Sequence, residues 1–215
     1  MKKGIIFDMD GTLWDSAASV AGCWTEVLKN KYGGVRSVTE EDLQSVMGLT
    51  MDKLAAALFP DEEEVIRMQM LEDCCNAENA YLEKHGAVLY DGLEEVLVLL
   101  QKDYHLYIVS NCQSGYIEAF LTYYGFGHYF EDIECYGNNQ LKKGDNIRNV
   151  VKRNHLDEAV YVGDIQGDYD ASLEAGVAFI HAAYGFGTIQ QDVERIESLR
   201  ELPSVVDKVL EAINR

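Results

Sequence analysis

Three short apolar runs in this chain stop abruptly in polar residues. Ile5-Ile6-Phe7 runs into Asp8-Met9-Asp10-Gly11, Leu106–Val109 into Ser110-Asn111, and Ala159–Val162 into Gly163-Asp164-Ile165-Gln166-Gly167-Asp168. Runs this short, continuous and β-branched suit parallel strands covered on both faces. Val177–Ile180 is a fourth such run and Asp132–Cys135 a fifth candidate. Helical patterns lie between them, at 93–102, 116–124, 146–153 and 168–175, the last ending at Gly176. Strand alternating with helix predicts an α/β fold with a doubly wound, parallel, Rossmann-like sheet. Ligands of such sheets bind beyond the carboxyl ends of the strands. Polar residues from three separate strands are therefore expected to meet in one small volume.

The stretch from 16 to 87 breaks the alternation. Val20, Trp24, Val27 and Leu28 form one apolar stripe, and Leu54, Ala57 and Leu58 another. Thr39-Glu40-Glu41-Asp42 reads as a capping box before Leu43, while Val65, Met68, Leu71 and Cys75 begin a long acidic helix. The expected organisation is a core of residues 1–15 and 88–215 with a helical insertion at 16–87. The 215 residues, 47% apolar, suffice for one medium domain carrying such an insertion.

Charge narrows the partners. With 37 acidic against 18 basic residues the formal net charge is −19, which repels nucleic acid and anionic membranes, so neither is expected to bind. An anionic substrate would need a metal ion or a buried lysine to offset that field locally. No stretch is long enough to span a bilayer, and three apolar residues before Asp8 are too few for a signal peptide. The five cysteines, an odd set without a C-x-x-C, read as reduced thiols of a cytoplasmic protein.

Each polar strand end has a plain reading by itself. Asp-Gly is a common turn, Ser-Asn a common helix cap, and Gly-Asp an ordinary βα loop. A calcium loop starting at Asp8 fails, because Gly11 falls at position four and Ser19 replaces the final glutamate. Gly185-Phe186-Gly187 lacks the third glycine of a dinucleotide site.

Taken in order, Asp8-x-Asp10-Gly11-Thr12-Leu13-x-x-Ser16, then Ser110-Asn111, then a lysine, then Gly163-Asp164-x-x-x-Asp168 resembles the haloacid dehalogenase superfamily of phosphohydrolases. The likeness spans the chain and is nearest the branch of phosphoglycolate phosphatase and β-phosphoglucomutase, with the helical insertion as its cap. It implies a Mg²⁺-dependent phosphatase acting on a small phosphate monoester, of phosphoglycolate or sugar-phosphate type, through an aspartyl-phosphate. Asp8 would be the nucleophile and Asp10 the general acid and base. Mg²⁺ would be held by Asp8, the Asp10 backbone carbonyl and Asp164, with Asp168 just behind. Gly11, Ser110, Asn111 and a lysine would bind phosphate. The usual Lys-Pro is replaced by Lys142-Lys143-Gly144. Lys143 is the expected residue, with Lys142 its rival. Relatives usually carry Tyr-Pro-Gly where this chain has Tyr90-Asp91-Gly92.

A phosphomutase remains the alternative, since it shares every core motif. A non-catalytic phosphate-binding protein is a further one. A phosphonatase and a dehalogenase are disfavoured by Asp10. The resemblance implies a small phosphorylated metabolite as partner and a monomer or weak homodimer. Trp14 is left between lining the pocket and packing the core.

Overall fold

The computed structural model describes residues 1–213. Strand β1 (Lys3–Phe7) leads to a short β2 (Trp14–Asp15), then to helices α1 (Ala17–Lys31), α2 (Glu40–Gln44), α3 (Met51–Leu58) and α4 (Glu64–His85). The chain returns through β3 (Val88–Leu89), which pairs antiparallel with β2. From there it alternates through α5 (Leu93–Leu100), β4 (His105–Ser110), α6 (Tyr116–Tyr124), β5 (Phe130–Cys135), α7 (Tyr136–Asn139), α8 (Lys143–Arg153), β6 (Glu158–Gly163), α9 (Gln166–Ala175) and β7 (Ala178–Ala182). A short β8 (Arg195–Ile196) and α10 (Leu202–Ile213) follow.

The main sheet has six strands in the order β5-β4-β1-β6-β7-β8, and every pairing in it is parallel. Successive side chains of β1 point to opposite faces. Ile6 joins Tyr107, Tyr161 and Ile147 of α8 on one face. Ile5 and Phe7 join Leu97 of α5 and Val206 of α10 on the other. Both faces are covered, which is why the run is apolar without alternation. The fold class is the doubly wound α/β sheet.

Register decides where the polar ends go. Phe7 lies level with Ile108 of β4 and Val162 of β6. Asp8, Ser110 and Asp164 therefore emerge side by side at one edge of the sheet. The order turns around β1, with β4 to one side and β6 to the other, so this edge is also the switch point of the topology.

All five expected strands are present, with shifted ends. Helix α8 starts at Lys143, three residues before the expected 146, because extended Lys142 caps it. Helix α9 starts at Gln166, because Asp168 accepts the backbone N–H groups of Asp164 and Ile165 at its first turn, at 3.0 and 3.1 Å. The Thr39–Asp42 capping box forms. Two expected stripes need correction. Ala57 is exposed and Ala55 is buried in its place. Of the expected residues of α4, Val65 and Met68 are exposed while Leu71 and Cys75 are buried, together with Met70, Cys74, Glu78 and Leu82. This face packs on α1 and α6, a partner that helical periodicity alone could not locate. Trp14 is fully buried and packs edge-on against Tyr116 and Phe120 of α6, at 5.4 and 5.0 Å between ring centroids. The adjacent Cys74 and Cys75 are free thiols, as are Cys23, Cys112 and Cys135.

Candidate active site

Asp8, Asp164 and Asp168 are all buried, and each offers a carboxylate oxygen within 4.8 Å of the others. Ionised carboxylates at such separations repel by about 3–4 kcal/mol per pair at an effective dielectric near 20. The cation among them is Lys143, 5% exposed, whose Nζ lies 2.6 Å from Asp168 Oδ1 and 3.1 Å from Asp8 Oδ1. Lys142 stays in solvent at the helix cap. The choice between the two lysines follows from helix geometry: the first residue inside α8 points back into the sheet edge, and its neighbour points away.

One ammonium does not balance three carboxylates. Burial pushes the Asp8 carboxyl up to about 7, against the lowering effect of Lys143 and with a further rise from Asp168. Burial, then Asp168 and Asp8, raise Asp164 well above the carboxylate range. Desolvation would lower Lys143, but Asp168 and Asp8 outweigh it and hold the ammonium above its ordinary value. The lysine is charged at every physiological pH.

Asp168 is saturated, with Lys143 on Oδ1 and two backbone N–H groups on Oδ2. It orients Lys143 and the 164–165 turn. Asp8 Oδ1 has no aligned hydrogen-bond donor despite the nearby ammonium. Asp164 Oδ2 accepts from the backbone N–H of Phe186 at 2.7 Å. At Gly11, with φ +77°, a Cβ would lie 2.0 Å from Asp164 Oδ2, so only glycine leaves that approach open. All-oxygen donors, an excess of negative charge and an undonated Asp8 oxygen fit a hard divalent cation of the Mg²⁺ kind.

Asp10 is kept apart from this trio. Its Oδ1 accepts from Tyr116 Oη at 2.6 Å and Ser16 Oγ at 2.7 Å. Burial lifts the carboxyl to about 6, although the bonds from Tyr116 and Ser16 lower it. Two carboxylates two residues apart thus have different surroundings: Asp8 faces Lys143, and Asp10 faces hydroxyls.

Ser110 is buried beside them, and Asn111 Nδ2 donates to the backbone carbonyl of Gly48 at 2.8 Å, tying the end of β4 to the helical insertion. Several residues at the site carried no sequence signal. Tyr116 is the first residue of an ordinary helix. His181 is buried on the neighbouring strand, with Nε2 3.2 Å from the Asp164 carbonyl. The Gly185–Gly187 loop packs on Asp164, and a Cβ at Gly185 would come within 2.3 Å of the Gly11 carbonyl. Glu78, 4% exposed, comes from the middle of α4, seventy residues from Asp8 in sequence (78 − 8). A pair of glycines that fails one motif could have flagged the loop; nothing flagged Glu78.

The chain is similar to known proteins over most of its length. The family model for haloacid dehalogenase-like hydrolases matches residues 5–182. An N-acetylmuramic acid 6-phosphate phosphatase of Pseudomonas aeruginosa is 23% identical, over 97% of this chain and 96% of its own length. A phosphoglycolate phosphatase of Pseudomonas fluorescens is 27% identical, over 96% of this chain and 81% of its own length. A β-phosphoglucomutase of Clostridium difficile has the same fold, with a TM-score of 0.79 at 17% identity and 100% of both chains covered.

Proposed function

Because the chain belongs to the haloacid dehalogenase-like hydrolase family and its similar curated relatives are phosphatases, we propose that it hydrolyses a small phosphate monoester with Mg²⁺ and an aspartyl-phosphate intermediate. The observation that carries the proposal is the division of environment between Asp8 and Asp10. Carboxylates whose surroundings differ in this way take different chemical roles. Asp8, beside the charged Lys143, attacks phosphorus and forms the acyl phosphate. Asp10, raised to about 6, takes up a proton more readily than an ordinary carboxylate and gives it to the leaving alcohol. It then takes one from the water that cleaves the acyl phosphate. Tyr116 and Ser16 fix its orientation.

Lys143 offsets charge on the phosphoryl oxygens, and Asp168 positions it. Ser110, Asn111 and the backbone at Gly11 bind those oxygens. Asp8, Asp164 and the Asp10 carbonyl would hold Mg²⁺, which supplies charge neutralisation at the phosphoryl group. The space between Asp10, Ser110 and the insertion, about 40 Å³ in this arrangement, suits a small ester.

The test is phosphate release from a panel of small esters and an aryl phosphate, with Mg²⁺ and with EDTA. Release that needs Mg²⁺ and vanishes in Asp8→Asn is expected. Undiminished release in EDTA, or in Asp8→Asn once deamidation is excluded, would remove the proposal.

A further inference from the structure

The cavity between the sheet edge and the helical insertion is lined on the sheet side by Asp10 and Ser110, and on the insertion side by Trp24, Met47 and Glu78. Glu78 stands out chemically. Every other buried residue of its helix face is apolar or a thiol. A leucine there would fill the stripe without the cost of burying a carboxyl. Its Oε2 accepts the indole N–H of Trp24 at 2.6 Å, so the carboxyl group is held in one place. The next residue, Asn79, bonds across to the loop after β4, donating to the Ser114 carbonyl at 2.8 Å and accepting from Gln113 at 3.0 Å. Glu78 is thereby fixed in the wall of the cavity that Asp10 and Ser110 also line.

Among the described residues lining this cavity there is no Lys, Arg or His. Lys143, beside Asp8 and Asp168, does not line the cavity. A leaving group bearing a carboxylate would meet Glu78 and Asp10 with no cation to receive it. A neutral hydroxyl could donate to Glu78. An ammonium would do more, since its charge favours release of the Glu78 proton and leaves a desolvated ion pair. The cavity, about 40 Å³ in this arrangement of the insertion, suits a short leaving group.

We propose that Glu78, held by Trp24, reads the leaving group, and that the substrate is the phosphate monoester of a small amino alcohol whose ammonium pairs with Glu78. This rests on the phosphatase reading above and departs from the phosphoglycolate chemistry in the names of several relatives.

The test compares kcat/KM for three esters of matched size: phosphoethanolamine, 2-hydroxyethyl phosphate and phosphoglycolate. The aryl ester 4-nitrophenyl phosphate is run beside them, all with Mg²⁺. The amine is expected to lead, the hydroxyl to follow and the carboxylate to trail the amine by roughly a hundredfold. In Glu78→Gln, which keeps an acceptor for Trp24, the ratio of amine to carboxylate should fall by roughly tenfold, through KM for the amine. A carboxylate ester as fast as the amine overturns the proposal on wild-type data alone. So does a ratio unchanged in Glu78→Gln, the result of a merely structural role. Hydrolysis of the aryl ester with the wrong ranking sinks this inference only. No hydrolysis of any of the four esters sinks the phosphatase reading with it.

Discussion

Replacing Glu78 by Gln removes one titration from the folded protein and should change how stability depends on pH. Burial raises the Glu78 carboxyl from the ordinary 4.5 to about 8, while bonds from Trp24 and Gln113 lower it and Asp10 raises it slightly. Because the folded value lies above the unfolded one, the native state keeps a proton that the unfolded chain releases between those two values. Wild-type stability therefore falls as pH rises through that window and levels off above the folded value. Each pH unit inside the window is worth about 1.4 kcal/mol. From about pH 5 to about pH 8 this amounts to roughly 3 kcal/mol, which Glu78→Gln escapes. The carboxyls of Asp8, Asp10 and Asp164 titrate in both proteins and cancel in the difference. Urea unfolding of both proteins across this range, with the slope m checked for equality, measures it. The variant should gain on wild type by about 3 kcal/mol toward the alkaline end. A difference that stays flat to within about 0.5 kcal/mol would mean that Glu78 is ionised or hydrated in the folded protein, and would refute the reasoning.

Lys143→Ala should lose turnover by roughly a hundredfold or more together with affinity for inorganic phosphate, while Lys142→Ala stays near wild type; steady-state kinetics with phosphate as inhibitor compares them. A greater loss at Lys142 would reverse the assignment. In Asp10→Asn, an aryl phosphate should still phosphorylate Asp8, since its leaving group needs little acid help, but the intermediate should persist and appear in rapid-quench mass spectrometry. Gly185→Ala would place a methyl 2.3 Å from the Gly11 carbonyl and 2.4 Å from the Asp164 Cβ. It should lower stability by about 1–3 kcal/mol in urea unfolding and reduce activity with it. With β-glucose 1-phosphate and a trace of the 1,6-bisphosphate, phosphorus NMR should show inorganic phosphate forming faster than glucose 6-phosphate; the opposite order would favour the mutase.

What the amino-acid sequence determined by itself was whatever is encoded locally. A strand covered on both faces must be apolar along its whole length, so β1, β4, β6 and β7 stand out as runs, and the polar residues that end them mark the ligand edge of a parallel sheet. Asp8, Asp10, Gly11, Ser110, Asn111, Asp164 and Asp168 all lie in such short segments, next to the strands that carry them. The tertiary structure decided what depends on packing between distant segments. Lys142 and Lys143 have the same charge and adjacent places in the chain, and only the start of α8 separates the buried one from the solvated one. Val65 and Met68 share helical spacing with Leu71 and Cys75, yet the first two are exposed and the other two are buried. Tyr116 meets Asp10 across 106 residues, and Glu78 meets Trp24 across 54. Those contacts have no period and no spacing in the chain. The first joins α6 to the loop after β1 and the second joins α4 to α1, and such packing between distant segments sets which charges are desolvated.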